Sequence, residues 1–353
     1  MNGNKTNQTY TIALDVMGGD HGLTSTIPGA NLALKRAKKD GHSLHFLLFG
    51  DQAQITPILD GYPNLKAVSE ICHTDKIIRG EDRPSDALRK GKGTSLRLAI
   101  EAVQEGRAQA IVSAGNTGAL MATAKMVLKT VTGIHRPAIA SVFPGVKEDT
   151  IMLDLGANML VDAQNLVQFA VMGAVFASAH KGIARPRVGL LNVGTEDTKG
   201  PDHVRAAASL LSEIRFPGEY AGFVEGTDLL RSRVDAVVSD GYAGNIALKS
   251  VEGTFVFSKL CFSNAMKSDP LAIIGALLAG FALKRLKRRI DPRLYNGGVF
   301  LGLNGICIKS HGGGDDVAFS SAVTMARNLI VHGSVERIKS DIEKLMEQET
   351  LLS

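Results

Sequence analysis

AIVSAGNTGALMATAKMVLK, residues 110–129, is the stretch that decides the fold. It opens on a short apolar run, 110–113, of the kind found in strands buried on both faces. A turn of small and polar residues follows, and 118–129 then carries apolar residues at helical spacing with no proline. A strand that hands over to a helix through a tight glycine turn is the repeating unit of a parallel sheet.

The unit recurs on both sides. Apolar runs at 12–16, 44–49, 151–155, 188–193 and 236–239 lead into the turns MGGDHG, GDQ, GANM, GTEDTKG and DGYAGN. Helical spacing is strongest over 27–39, 95–105, 164–179, 203–214 and 334–348. No repeat and no low-complexity linker interrupts the series. The sequence therefore predicts an α/β fold, a three-layer α/β/α arrangement with a mostly parallel sheet. It predicts one catalytic domain over 11–353 behind a polar extension at 1–10.

Composition narrows the partners. At 353 residues, 44% of them hydrophobic, the chain can bury a large core. Aromatics are 5% and Trp is absent, so platforms for stacking nucleic-acid bases are not expected. The net charge of +5 equals the basic excess between Lys267 and Arg293, so the rest of the chain balances and no broad nucleic-acid face is expected. Cys72, Cys261 and Cys307 stand far apart, which suits a reducing compartment and offers no zinc framework. The start, MNGNKTNQTY, lacks the apolar core of a signal peptide, so a cytoplasmic location is expected.

One segment breaks the rhythm. LAIIGALLAGFAL, 271–283, runs directly into KRLKRR. It is shorter than the roughly 20 residues that span a bilayer. Three readings fit: a buried core helix with a basic last turn, a tip that enters the lipid interface while its cations meet anionic headgroups, or a dimer contact. The protruding segment is taken as 254–295.

Ligands of open α/β sheets bind beyond the carboxyl ends of strands, and the polar residues of this chain gather there. After the first strand, Gly18 and Gly19 let backbone approach a ligand, and His21 offers a proton-exchanging group beside Asp15 and Asp20. Gly115, Asn116, Thr117 and Gly118 open a helix whose free N–H groups suit an anion. Asp154 and Asn158 form a third turn, and Gly194, Thr195 and Lys199 a fourth. Asp240, Gly244 and Asn245 precede a helix that contains Lys249. Each alone is ordinary turn chemistry; five such turns after strands point to a site. No dinucleotide fingerprint, phosphate-binding P-loop, serine elbow or metal-ligand cluster is present, so no cofactor is expected.

Read together, the turns are similar to the phosphate acyltransferase family. The matching stretches are IALDVMGGDHG, EDRPSDALRKGKGTSLRLAIEAV, IVSAGNTGALMA, HRPAIA, MLDLGANM, LVQFAVMGAV, RVGLLNVGTEDTKG, VSDGYAGNIALKSVEGT and YNGGVFLGLNGICIKSHGGG, in family order. The resemblance implies transfer of an acyl group from acyl-carrier protein to inorganic phosphate. It implies a fold related to isopropylmalate dehydrogenase and phosphotransacetylase, a homodimer, and loose membrane association. It also implies delivery of acyl-phosphate to a membrane glycerol-3-phosphate acyltransferase. GGGDD after His311 is more acidic than the family's turn there.

On that reading, the amides of Gly115–Gly118 with Asn116, Thr117 and Lys199 hold phosphate, and Asn245 or the Gly244 N–H meets the developing oxyanion. His21 protonates the departing thiolate, oriented by Asp15 or Asp20. Arg79, Arg83, Arg89, Lys90 and Lys92 form a dock for the acidic carrier, with KRLKRR as a competing one. Rival readings are a phosphotransacetylase acting on coenzyme A thioesters, a dehydrogenase of the related fold, and a membrane-docked scaffold without activity.

Overall fold

A computed structural model describes the backbone of residues 9–289, 291–295 and 297–352, and side chains there except at 287–289, 292, 294 and 348–352. The expected extension 1–10 lies outside the described residues up to residue 8; Thr9 and Tyr10 begin the first strand.

The strands are β1 (Thr9–Asp15), β2 (Ser43–Gly50), β3 (Ser69–His73), β4 (Ala110–Ser113), β5 (Ala138–Phe143), β6 (Thr150–Leu153), β7 (Arg187–Leu191), β8 (Glu219–Val224), β9 (Ala236–Val238), β10 (Gly298–Leu301) and β11 (Ile306–Lys309). They form one 11-stranded sheet ordered β3-β2-β1-β4-β11-β10-β5-β6-β9-β7-β8. Pairing is parallel except at β11–β10, β10–β5 and β5–β6. The sheet thus consists of two parallel runs of opposite sense, β3-β2-β1-β4-β11 and β6-β9-β7-β8, joined through β10 and β5.

Both faces are covered, which explains the near-continuous apolar runs. Ile12, Leu14, Ala110, Val112, Ile306 and Ile308 pack on one face with helices Leu23–Lys39, Ala163–Lys181 and Asp316–Val331. Their neighbours Ala13, Ile111 and Cys307 pack on the other, under helices Ser95–Gln104 and Thr117–Leu128. In the second run, Met152 and Val237 meet Val224, Leu229 and the inner side of helix Gly241–Ala265. The period of two in strand burial produces the three layers.

Helix Ala163–Lys181 shows how the sequence sets an element. Asp162 accepts from Asn165 N at 2.7 Å, apolar residues follow with Ala and Phe buried throughout, and Gly182 ends it at φ 71°. Only glycine adopts that left-handed stop without cost.

Five strands, β3, β5, β8, β10 and β11, were not separable in the sequence reading, and three of them carry or flank the change of strand sense. The buried-core reading of 271–283 is also corrected. Helix Pro270–Leu278 buries no residue, and Leu271, Leu278 and Phe281 are 80%, 83% and 89% exposed. No helix among the described residues is long and apolar enough to cross a membrane.

Candidate functional site

The five glycine turns do not form one ring within a chain. β1, β4 and β11 run in one sense and β6, β7 and β9 in the other, so the turns at their carboxyl ends fall into two groups.

The first group is built on glycine-to-glycine contact. A Cβ on Gly18 would lie 2.7 Å from Gly115 N and from Asp15 Oδ2, so the turns after β1 and β4 touch only because both lack side chains there. Gly19, at φ 87°, leaves no room beside Gly312 O, and Asp20 N donates to that carbonyl at 2.9 Å. Asp15 is 2% exposed and accepts from Ser113 Oγ at 2.7 Å, while Ser113 Oγ accepts from Gly115 N at 3.0 Å. Burial pushes the Asp15 carboxyl up, opposed by the hydroxyls of Ser113 and Ser95 and by Lys309.

Lys309 enters from β11, opposite Ser113 in the register, and its ammonium donates to Ala114 O at 3.2 Å and to Ser310 O. Burial lowers its pKa to about 8, opposed by the charges of Asp20 and Asp15. Sequence reading places Ser113 at the head of the glycine turn without a role and misses Lys309. The available signal was a lysine closing an apolar run immediately before Ser-His-Gly-Gly.

Two expected roles change. Asn116 Oδ1 accepts from Ala119 N at 2.9 Å, capping helix Thr117–Leu128, and its Nδ2 donates to Gly80 O at 2.6 Å. Its amide is committed to the cap and to the loop at 79–84, and the backbone N–H groups of Thr117 and Gly118 stand in the first turn of the helix, where no intrahelical partner exists. That loop lies close: a Cβ on Gly118 would stand 2.8 Å from Pro84 Cγ. His21 sits exposed on the rim, its carbonyl accepting from Thr24 Oγ1 at 2.7 Å. Asp15 is bound to Ser113 and does not orient it.

In the second group most of the acids and amides hold backbone. Asp154 is fully buried. Its Oδ1 accepts from Ile139, Gly156 and Ala157 N at 3.0, 3.3 and 3.0 Å, and its Oδ2 from Asn158 N and Nδ2 at 2.7 and 2.9 Å. Asn158 Nδ2 also donates to Pro137 O at 2.7 Å, and Asp240 Oδ1 caps helix Gly241–Ala265 by accepting from Ala243 N at 2.7 Å. Gly244 fits because a Cβ there would stand 1.9 Å from Asp154 O. Asn192 staples the next turn, donating to Lys199 O at 3.0 Å and accepting from Val193 N at 2.9 Å. Gly194 is buried in that turn, whereas Thr195, Lys199 and Asn245 are exposed. Lys249 pairs with Glu252 at 2.7 Å on the open face of the long helix.

The arrangement offers helix-start amides and one lysine beside a buried carboxylate, Asp15, and an exposed one, Asp20. The comparisons agree with an enzyme handling a small anion. A family described as "Fatty acid synthesis protein" matches residues 10–337. The chain is 50% identical over 338 residues to a phosphate acyltransferase of Rhodospirillum centenum, covering 96% of this chain and 94% of that one. It is 48% identical over 339 residues to that of Paramagnetospirillum magneticum, covering 96% and 95%. Among solved structures it is similar to the EutD phosphotransacetylase from Staphylococcus aureus, with a TM-score of 0.55 and 19% identity, over 92% of this chain and 96% of that one. A branched-chain phosphotransacylase from Enterococcus faecalis gives 0.54 and 13%, over 91% and 99%. These two likenesses establish a shared α/β fold. Identity near half over almost the whole length goes further: the chain belongs to the phosphate acyltransferase family.

Proposed function

We propose that the enzyme takes acyl groups from acyl-carrier protein and places them on inorganic phosphate by direct attack. A phosphate oxygen forms the new C–O bond, the C–S bond breaks, and the thiolate takes a proton from His21. The observation that carries this reading is the first group of turns, where helix-start amides and a lysine meet around Gly18 and Gly115. Cys307, the cysteine in the adjoining strand, is fully buried and burial pushes its thiol far up, which disfavours an acyl-cysteine route.

A homodimer belongs to the reading. Thr195, Lys199 and Asn245 are exposed on oppositely directed strand ends, where a second copy's phosphate site would find them. The acidic carrier docks on Arg79, Arg83, Arg89, Lys90 and Lys92, all exposed on or beside the loop that Asn116 ties down. The apolar and basic segment 271–293 rests on the inner face of the cell membrane, and acyl-phosphate passes to a membrane glycerol-3-phosphate acyltransferase. The protein is then cytoplasmic with peripheral attachment.

The test is phosphate-dependent thiol release from acyl-carrier protein, with hydroxylamine trapping the product as hydroxamate. Release without phosphate indicates a thioesterase. Release from acyl-coenzyme A but not from the carrier moves the enzyme to the phosphotransacetylase class.

A further inference from the structure

We propose that Lys309 binds the phosphate directly, and that the buried Asp15–Ser113 pair behind the glycine turns fixes where its ammonium stands. The inference rests on phosphate being the acceptor and assigns that ligand a residue. Lys309 closes β11 directly opposite Ser113, so the strand register delivers its side chain to the turn that begins helix Thr117–Leu128. An ammonium has three N–H groups. Two are spent on the carbonyls of Ala114 and Ser310, and among the described residues the third has no acceptor. The two carbonyls aim the nitrogen without neutralising it.

Asp15 supplies the second, independent observation. It is 2% exposed, and its Oδ1 has no hydrogen-bond partner. A carboxylate buried in this way next to a site for an anion would oppose binding unless a cation stood between them. Lys309, held at Ala114 O beside that turn, carries the positive charge that acts with both Asp15 and Asp20. Asp15 therefore stays behind the turn as a positioning residue, while Lys309, a half-buried residue, meets the ligand.

The charged groups that act on Lys309 are Asp15 from β1 and Asp20 from the turn after it, and the nearest histidine in sequence, His311, accepts from Gly313 N at 3.2 Å. Burial lowers the lysine to about 8, and it loses its proton through that range. Phosphate is already the dianion there, so a loss of affinity through that range reports the amine.

The experiment is calorimetric titration of the whole protein with inorganic phosphate between pH 7 and 9.5, alongside the phosphate KM in the hydroxamate assay. Lys309→Met is expected to weaken phosphate about 10- to 100-fold, the usual range for removing a charged hydrogen bond, with the acyl-donor KM unchanged. In the unaltered protein phosphate affinity should fall above pH 8. Lys309→Arg should restore binding and abolish that fall. Unchanged phosphate affinity in a folded Lys309→Met protein overturns the inference. Should that variant fail to fold, a flat pH profile in the unaltered protein overturns it equally. Phosphate binding that depends on Lys309 without hydroxamate formation would preserve this inference and sink the acyl-transfer reading.

Discussion

Asp154 accepts five hydrogen bonds while fully buried, and no lone pair is left for a ligand. Asp154→Ala strands the N–H groups of Ile139, Gly156, Ala157 and Asn158. We expect a stability loss of at least about 3 kcal/mol, read as a lower urea midpoint. His21 is the contrasting case, because it is exposed and carries no fold. His21→Ala should cut turnover about 10²- to 10⁴-fold with an unchanged melting temperature, and near-normal turnover would remove it from the mechanism. Asp235 gives the pH dependence. Burial raises its carboxyl, but Lys181 at 2.5 Å and Arg187 N at 2.8 Å outweigh that and hold it below 3.8. A lowered folded pKa adds stability above the unfolded value, lost as pH falls through the folded one. Lys181→Met should therefore shift the acid-unfolding midpoint upward. The sequence revealed the glycines of the site because close backbone approach has one solution. It did not separate ligand acids from structural ones, since an aspartate at a strand end is the same letter in both roles. Lys309 was hidden for a similar reason: from sequence, a lysine closing a four-residue strand resembles any solvated lysine.

At the scale of elements, helix Gly241–Ala265 combines a locked start with a free length. Gly244 faces Asp154 O so closely that Gly244→Ala must shift backbone. That overpacking should cost about 1–3 kcal/mol, measurable as a lower thermal midpoint, and should disturb the neighbouring Asn245. Farther along, Val256, Phe257 and Leu260 are exposed, as are Leu271, Leu277 and Leu278 in the next helix. An apolar surface of this extent marks an interaction site. Replacing Leu277 and Phe281 by Glu should leave the melting temperature unchanged and abolish sedimentation with anionic lipid vesicles. Retained sedimentation would direct attention to the partner-copy contact instead. The helices were legible from their periodicity. β10 and β11 were not, because three apolar residues after a glycine fit a strand, a turn or a helix end equally.

The whole molecule is a sheet whose two parallel runs oppose each other across β10 and β5. The three-layer class was readable because strands covered on both faces are apolar throughout. Strand sense was not, since an apolar run looks the same in either direction, and for that reason the sequence did not show that the five turns fall into two groups. The order of the strands carries a further consequence, for biosynthesis. β10 and β11 are made last, at Gly298–Leu301 and Ile306–Lys309, yet they lie between β4 and β5 in the middle of the sheet. Until some 300 residues have left the ribosome, β4 and β5 each present an open edge, the kind that invites pairing with another chain. A nascent chain stalled before residue 298 would hold two half-sheets that nothing joins, and it is at that length that a trigger-type chaperone has most to protect.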